Sequence, residues 1–293
     1  MEATVAEALR SALAQTVPCQ IIVSDDCSGD GTLEIVRELL AGYAGPHEIV
    51  VRSTARNLGL CAHLAELATL ATGEVLVLLA GDDVAYPHRV ERLLQAFAAN
   101  PDAQVVGSRV DDIDSDGNIL ERATRGIPAR IDQHWLLYCG KLSTVLGASM
   151  ALRRSLLMDF PPLQGKVEDN MLTLRAVLVG DCLCLPEPLL GYRRHAQNLG
   201  SWVFDRSGKD YAGYERRNRR VLAMYREIAN DQYRCIAARP DLPMPRRALG
   251  TRLADMYALE ADMREAILDQ PRRRWLAPLW RGICHPGLRR KSI

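Results

Sequence analysis

Two pairs of adjacent carboxylates follow apolar runs in the first third of the chain. Asp25 and Asp26 come after "QIIVS", and Asp82 and Asp83 come after "EVLVLLAG". Adjacent acids at the end of a buried strand are costly unless a hydrogen bond or a cation uses their charge. Hard oxygen ligands of this kind suit Mg²⁺ or Mn²⁺, which complete their coordination shell with water and substrate phosphates. The two pairs together therefore indicate a divalent cation and a diphosphate substrate, while helix capping or a turn is the alternative for each pair alone.

The elements that must position these acids alternate between helix and strand. Apolar β-branched runs predict strands at 19–24, 47–53, 74–80 and 103–110, and helical spacing predicts helices at 5–15, 31–43, 60–73 and 87–100. This alternation predicts an α/β fold with a mostly parallel sheet and helices on both faces. Because ligands bind beyond the carboxyl ends of the strands in such sheets, both acid pairs are expected at one rim.

The middle of the chain begins with a predicted hairpin at 111–123, which contains the turn dipeptide Asp116-Gly117. Its acids have the offsets of a calcium loop, but Ala123 stands where the closing acid belongs, so a turn is favoured. A strand at 146–154, a helix at 168–180 and a pair of strands around "CLCLP" and "PLLGYRRH" follow. Beyond residue 205, two long arginine-rich helices are predicted.

Bulk composition excludes several classes of protein. The net charge is +1, and hydrophobic and charged residues make up 48% and 25% of the 293 positions. We therefore expect a globular protein that does not bind nucleic acid. No apolar run approaches the length of a membrane span, and the first residues do not read as a signal peptide. The scattered cysteines, including a pair expected to be buried thiols at Cys182 and Cys184, favour a reducing cytoplasmic location.

The end of the chain combines basic and aromatic residues. Arginines flank apolar residues that lie near helical spacing, namely Trp275, Leu276, Leu279, Trp280 and Ile283. One hypothesis is peripheral contact with a membrane surface. The other is that this segment packs against the rest of the protein.

Four sequence blocks, in a consistent order over residues 19–201, resemble those of the family 2 glycosyltransferases. "IIVSDDCSGDGTLEIVREL" is similar to the family's nucleotide-binding motif, and "RNLGL" with "ATGEVLVLLAGDDVAYPHRVERLL" resembles the block that leads into its DxD motif. "VEDNMLTLRAVLVG" resembles the acceptor-side Glu-Asp motif, and "LLGYRRHAQNLGS" resembles a strand end found in many members. The last 90 or so residues lie outside this resemblance.

The resemblance implies a GT-A fold and a metal-dependent, inverting transfer from a nucleotide-sugar donor. Asp25 would contact the nucleotide base, and Asp83 would orient the donor sugar or metal-bound water. Asp82 and His195 would hold Mn²⁺ or Mg²⁺ at the diphosphate. The remaining residues implied for the nucleotide-sugar site are Asp26, Ser28 and Asn57.

On the acceptor side, the resemblance implies that Asp169 is the general base, with Glu168 beside it. An acceptor hydroxyl must lose its proton as it attacks the anomeric carbon, which suits a carboxylate within hydrogen-bond reach. As an alternative, Asp169 would cap the helix that follows. The acceptor is expected to be a saccharide, a lipid-linked group or a protein, in polysaccharide or glycoconjugate synthesis such as cell wall synthesis.

Two departures from the family pattern stand out. Members usually begin with an apolar strand, whereas here Met1 falls directly before the helix that should follow that strand. The second departure is Ala80, which occupies the first position of DxD. We expect the absence of a central strand to leave an apolar slot in the sheet.

These features define a transferase domain at 1–204 and a helical extension with a basic tail at 205–293. A non-catalytic protein that binds nucleotide sugars or acts as a scaffold, derived from a transferase, is the first alternative. A nucleotidyltransferase is the second, but it would need a glycine-rich phosphate loop with a basic residue near the first strand.

Overall fold

The computed structural model describes residues 1–195, 198, 211–269, 271, 274–285 and 288. The amino-terminal part contains α1 (Val5–Leu13), β1 (Gln20–Asp25), α2 (Thr32–Leu40), β2 (Glu48–Ser53), α3 (Leu60–Leu70), β3 (Val75–Val77), β4 (Val84–Ala85) and α4 (Arg89–Ala99). The middle part contains β5 (Ala103–Ile113), β6 (Ile119–Thr124), β7 (Arg130–Ile131), α5 (Gln133–Cys139), β8 (Ala151–Arg153), α6 (Ser155–Met158), α7 (Glu168–Val179) and β9 (Asp181–Arg193). Among the described residues from 211 onward, the helices are α8 (Tyr211–Ala238), α9 (Met244–Asp269) and α10 (Leu276–Cys284).

The strands form two sheets. β1 and β2 make a parallel pair, and the larger sheet has the order β3-β8-β5-β9-β4, with β6 on β5 and β7 on β9. The predicted α/β class is confirmed, but the larger sheet contains both parallel and antiparallel strand pairs, whereas a mostly parallel sheet was predicted. β5 and β9 are parallel, whereas β8 pairs antiparallel with both β3 and β5, because the chain returns through this position after α5.

An open slot separates the two sheets. Residues of β1 and of the segment 74–83 line opposite sides of one cleft, whose volume is 2610 Å³. All six residues of β1 and all three of β3 are only half-buried, although most of them are apolar. In the described part of the chain, β1 pairs only with β2 and β3 only with β8, so each strand presents an unpaired edge to the slot. The expected apolar slot is therefore present.

The strand pair predicted around residues 182–195 is wrong. The segment forms the single strand β9, which pairs with β5 along its whole length. Proline at position 188 lies opposite Arg109, where the register between the two strands shifts. A register shift accommodates a residue without a backbone N–H, so the strand continues where the sequence suggested a break. Its far end carries Arg193 to the rim that holds Asp82 and Asp83.

The hairpin predicted at 111–123 is present as β5, a turn and β6. The carboxylate of Asp114 accepts hydrogen bonds from the backbone N–H groups of Asp116 and Asn118, at 2.9 and 2.8 Å. These bonds commit the acid to the turn. They account for Asp114 without a cation.

The helices after residue 210 share a core with α7. Tyr225, Ile228 and Tyr257 pack in one buried apolar cluster with Met171 and Leu172 of α7. In the same region, the buried side chains of Arg175 and Asp231 form a two-fold ion pair, with N–O distances of 2.8 and 2.6 Å. A buried, bidentate pair fixes the relative position of the two helices that carry it. The extension is thus part of what supports α7.

Among the described residues, no helix is long and apolar enough to cross a membrane. Cys182 and Cys184 are buried thiols, as expected.

Candidate active site

The acids after β3 meet the end of β9. Asp82 is buried, and its Oδ2 lies 2.7 Å from Nε2 of His195. The backbone N–H of His195 donates to Oδ1 of Asn198 at 2.7 Å, and the side-chain amide of Asn198 donates to the carbonyl of Arg193 at 3.0 Å. This small network orients the histidine toward Asp82. Apart from Asn198, the block after His195 lies outside the described residues.

Arg193 holds this rim together. Its side chain is 2% exposed and donates to the backbone carbonyls of Asp82, Asp114 and Ser115 at 2.8, 2.7 and 2.6 Å. It also pairs with the carboxylate of Glu7 in α1. One guanidinium therefore joins the acidic loop, the β5–β6 turn and the first helix, and each of its nitrogens has a partner.

Asp83 lies deeper than Asp82. It is 1% exposed, and its Oδ1 accepts a hydrogen bond from the backbone N–H of Arg193 at 2.9 Å. Burial, reinforced by the neighbouring charge of Asp82, raises the pKa of Asp83 to about 7, although the N–H of Arg193 and the charge of Arg89 oppose this shift. A cation bound at Asp82 would favour the ionised form of Asp83, because it would offset the charge of the neighbouring carboxylate.

Arg89 supports the acidic loop from below. It is 1% exposed, and its guanidinium donates to the carbonyls of Leu78 and Ala148 at 2.7 and 2.8 Å. Burial lowers the pKa of Arg89 to about 10, while the charge of Asp83 opposes the change. The residue remains protonated at neutral pH, so it places a positive charge behind the acids.

The second acidic group begins α7. Burial raises the pKa of Asp169 to about 6 and that of Glu168 to about 7, and the charge of Asp169 adds to the second shift. Oδ1 of Asp169 is buried and has no hydrogen-bond partner among the described residues. Gly147 passes so close that a Cβ added to it would lie 2.4 Å from Oε1 of Glu168. The carboxylates are thus held in a tight, poorly solvated position with one acceptor oxygen unused.

The acids after β1 have two different environments. The carboxylate of Asp26 accepts hydrogen bonds from Leu58 and Gly59 N–H, each at 2.9 Å, and from the hydroxyl of Thr54. Burial opposes them, but these bonds together lower its pKa. Asp26 therefore braces the loop at 54–59, which also holds Asn57 through a bond from its amide to the carbonyl of Asp26 at 3.1 Å. Its predicted contact with the nucleotide stays a prediction.

The carboxylate of Asp25 accepts a hydrogen bond from the backbone N–H of Ser28, at 2.9 Å. The same carboxylate borders the cleft together with the rest of the predicted site. All the predicted site residues line this one cleft, namely Asp25, Asp26, Ser28, Asn57, Asp82, Asp83, Glu168, Asp169 and His195. Tertiary structure thus gathers residues that are up to 170 positions apart in the chain.

The donor set at Asp82 suits a divalent cation that is only partly held by protein. No group of three or more Asp, Glu, His or Cys side chains in the described part of the chain is close enough to form a complete metal site. Asp82 and His195 nevertheless converge, with one carboxylate oxygen and one imidazole nitrogen facing each other. Mg²⁺ and Mn²⁺ commonly take one or two protein ligands and complete the shell with substrate phosphate and water, so this pair fits such a cation.

The roles of Arg89, Arg193 and Gly147 at this site were not predicted from the sequence. Arg193 is an arginine in an otherwise apolar strand, and such a residue must find partners for its charge when buried. An arginine within an apolar strand therefore predicts a buried hydrogen-bonding residue, but the sequence does not identify its partners. Gly147 gave no signal, since only the close approach of Glu168 explains it.

Comparison with known proteins gives the family. A sequence model of glycosyl transferase family 2 matches residues 2–160, which is more than half of the chain. The chain belongs to glycosyl transferase family 2. The match covers both acid pairs and ends before the Glu168-Asp169 pair.

Relatives of this family 2 chain come from several bacteria. It is 33% identical to the putative glycosyltransferase EpsE of Bacillus subtilis over 108 residues, which are 36% of this chain and 38% of EpsE. It is 27% identical to the uncharacterized protein Rv1520 of Mycobacterium tuberculosis over 208 residues, 68% of this chain and 57% of that protein. The chain therefore spans about two fifths to three fifths of these curated relatives.

Solved structures show the same fold. S. aureus TarS in complex with UDP-GlcNAc aligns with a TM-score of 0.57 at 19% identity, over 95% of this chain and 76% of that one. A mannosyltransferase from Pyrobaculum calidifontis, in complex with GDP-Man and Mn²⁺, aligns with a TM-score of 0.52 at 16% identity, over 99% of this chain and 79% of that one. These likenesses show the GT-A fold for the family 2 chain.

Proposed function

We propose that this protein transfers a sugar from a nucleoside diphosphate sugar to an acceptor hydroxyl, with inversion at the anomeric carbon and with Mn²⁺ or Mg²⁺. The observation that carries the proposal is that one cleft holds two separate acidic groups with different chemistry. Asp82 is paired with His195, whereas Asp169 keeps a buried, unpartnered oxygen. The TarS and Pyrobaculum complexes, which contain UDP-GlcNAc and GDP-Man, support a nucleotide-sugar donor.

Asp82 and His195 would hold the cation on the donor side. When bound, the cation offsets the negative charge that grows on the departing diphosphate. Arg193 and Arg89 keep the acidic loop in place, and Asp83 contributes a further carboxylate next to Asp82. Asp25 and the loop at 54–59 would form the wall that contacts the nucleotide.

Asp169 would act on the acceptor side. One of its carboxylate oxygens would accept the proton of the acceptor hydroxyl while the hydroxyl oxygen forms a bond to the anomeric carbon. The bond from that carbon to the diphosphate oxygen breaks in the same step, and the diphosphate leaves with the bonding electrons. Attack from the face opposite the leaving group inverts the configuration. The raised pKa of Asp169 places a usable base close to neutral pH.

The second candidate is a protein that binds nucleotide sugars without turnover. Ala80 at the first position of the DxD motif favours it, since that position lacks a carboxylate here. The open slot beside β1 also favours it, because one wall of the nucleotide site borders this slot.

A donor panel tests the two candidates. The full chain is mixed with Mn²⁺ and a set of UDP-, GDP- and other nucleoside diphosphate sugars, and both binding and release of nucleoside diphosphate are measured. We expect turnover of at least one donor, reduced about 10²- to 10⁴-fold by Asp169→Asn. Asp116→Asn is the matched control, since Asp116 is an exposed turn acid. Donor binding without release would favour the second candidate, and neither binding nor release would contradict both.

A further inference from the structure

Helix α10 presents an apolar stripe on its outer face. Leu276, Trp280 and Ile283 lie at helical spacing i, i+4 and i+7, and their side chains are 74%, 66% and 40% exposed. Other exposed large apolar side chains are scattered over the surface. These three lie on successive turns of one helix, so they form a continuous patch. Such a patch is typical of a surface that meets another apolar phase.

The neighbouring face of α10 is fixed to the rest of the protein. Leu279 packs against the apolar core, and Gly282 is buried so close to Met263 of α9 that an added Cβ would lie 2.2 Å from its Sδ. Leu288, just beyond the helix, is fully buried in the same core. The two hypotheses for this segment therefore concern different faces, since the inner face packs and the outer stripe remains open.

Charge around the helix is strongly one-sided. Of the 37 basic and 36 acidic residues, seven basic and none of the acidic residues lie after position 269, so the first 269 residues carry a net charge of −6. Arg274, just before α10, and Arg281, within it, are both exposed. The other five lie outside the described residues, namely Arg272, Arg273, Arg289, Arg290 and Lys291. A protein surface with the composition of the first 269 residues would repel rather than attract an anionic layer.

We propose that α10 is an interfacial helix that places the protein on an anionic lipid surface. The stripe of Leu276, Trp280 and Ile283 enters the boundary between headgroups and acyl chains, and the arginines contact the lipid phosphates. An apolar stripe with an exposed indole, on a helix that also carries exposed arginines, is the arrangement that interfacial helices use. The helix lies on the membrane rather than across it, in keeping with its nine residues.

Flotation of the full chain with vesicles tests this. We expect the protein to float with vesicles of phosphatidylcholine and phosphatidylglycerol and much less with phosphatidylcholine alone. Leu276→Ser with Trp280→Ser should lower the partition coefficient about tenfold or more, because two exposed anchors are lost without disturbing the packed face. Arg274→Gln with Arg281→Gln should lower binding to the anionic vesicles by about tenfold and leave binding to neutral vesicles unchanged.

Two controls keep the test specific. Met244→Ser removes an apolar side chain that is 80% exposed at the start of α9, and it should leave flotation unchanged. Trp280→Phe keeps an aromatic anchor and should retain most of the binding. Equal flotation of the wild type and the Leu276/Trp280 variant would overturn the proposal. So would a concentration-dependent dimer in lipid-free solution that the same variant abolishes, since the stripe would then be a contact between two copies.

Discussion

Nε2 of His195 lies 2.7 Å from Oδ2 of Asp82, although 113 positions separate the two residues. The contact joins the end of β9 to the loop between β3 and β4, and β4 itself pairs antiparallel with β9 through Val84 and Gly191. Arg193 reinforces the approach, since its backbone N–H and its side chain both bond to the acidic loop. The pair is where the proposed donor-side chemistry would take place.

Replacement of His195 by glutamine should weaken Mn²⁺ binding about tenfold or more, because a side-chain amide is a weaker ligand for Mn²⁺ than imidazole. The measurement is the titration of free Mn²⁺ by electron paramagnetic resonance, with the protein alone and with UDP or GDP added. His88→Gln is the control, since His88 is exposed and lies outside the cleft. Identical titrations for the wild type and His195→Gln would contradict the assignment of this residue to the cation.

Activity should increase as the pH rises from 5 to 7. A base works only when it is ionised, and burial raises the pKa of Asp169 to about 6. Glu168→Gln should leave the acidic limb of the kcat/KM profile close to pH 6, because Glu168 has the higher pKa, about 7, and is mostly protonated while Asp169 ionises. The pKa of Asp83 is also about 7, so Asp83→Asn should leave the limb in place as well. A limb that moves in either variant would contradict its assignment to Asp169.

Arg193→Met should lower the free energy of unfolding by about 3 kcal/mol. The substitution keeps apolar bulk but leaves the buried carbonyls of Asp82, Asp114 and Ser115 without their donor. Urea unfolding measures the loss. Arg194→Gln, a substitution at the exposed neighbour, should change stability by no more than about 0.5 kcal/mol, because its pair with Asp112 is long and partly solvated. Equal decreases in the free energy of unfolding for the two variants would contradict the stabilising role of the Arg193 hydrogen bonds.

Gly147→Ala should reduce turnover about tenfold while leaving the melting temperature nearly unchanged. The added methyl group would occupy the space of Oε1 of Glu168, and that flexible carboxylate would move aside. Gly73→Ala is the matched control, since its nearest neighbour would be the carbonyl of Val75 at 3.5 Å. A large decrease in the melting temperature would instead indicate that the added methyl group displaces the backbone at residue 147 rather than the side chain of Glu168.

The slot between β1 and β3 should accept an added strand. The amine of Met1 lies 2.9 Å from Oδ2 of Asp30, and a Cβ added to Gly81 would lie 3.5 Å from Cγ of Met1, so residue 1 sits at the carboxyl end of the slot. Fusing six apolar β-branched residues directly ahead of Met1 should raise the melting temperature by about 5 °C or more, since the new strand would pair with both open edges. The same extension with a central proline should give little gain, because proline breaks the ladder. Equal effects of both extensions would argue against strand addition.

The sequence by itself determined the local parts of this protein. Alternating apolar runs and helical spacing set β1, α2, β2 and α4 within a few residues, because backbone periodicity records which face is buried. It also identified the acid pairs at 25–26 and 82–83, since adjacent carboxylates after buried segments are costly without a use. Glu168-Asp169 was identified only through the resemblance to family 2. The break predicted within β9 was wrong, because the register shift opposite Arg109 depends on a partner strand that the local sequence does not specify.

Only the tertiary structure decided how these parts combine. It committed Asp26 to the loop at 54–59, left one oxygen of Asp169 free, and placed the guanidinium of Arg193 between three segments. Sequence cannot distinguish these outcomes, since the same residue type serves as brace, base or ligand according to which donors surround it. The same holds for α10, whose sequence is amphipathic in either setting, and whose packing on Met263 decides which face remains open.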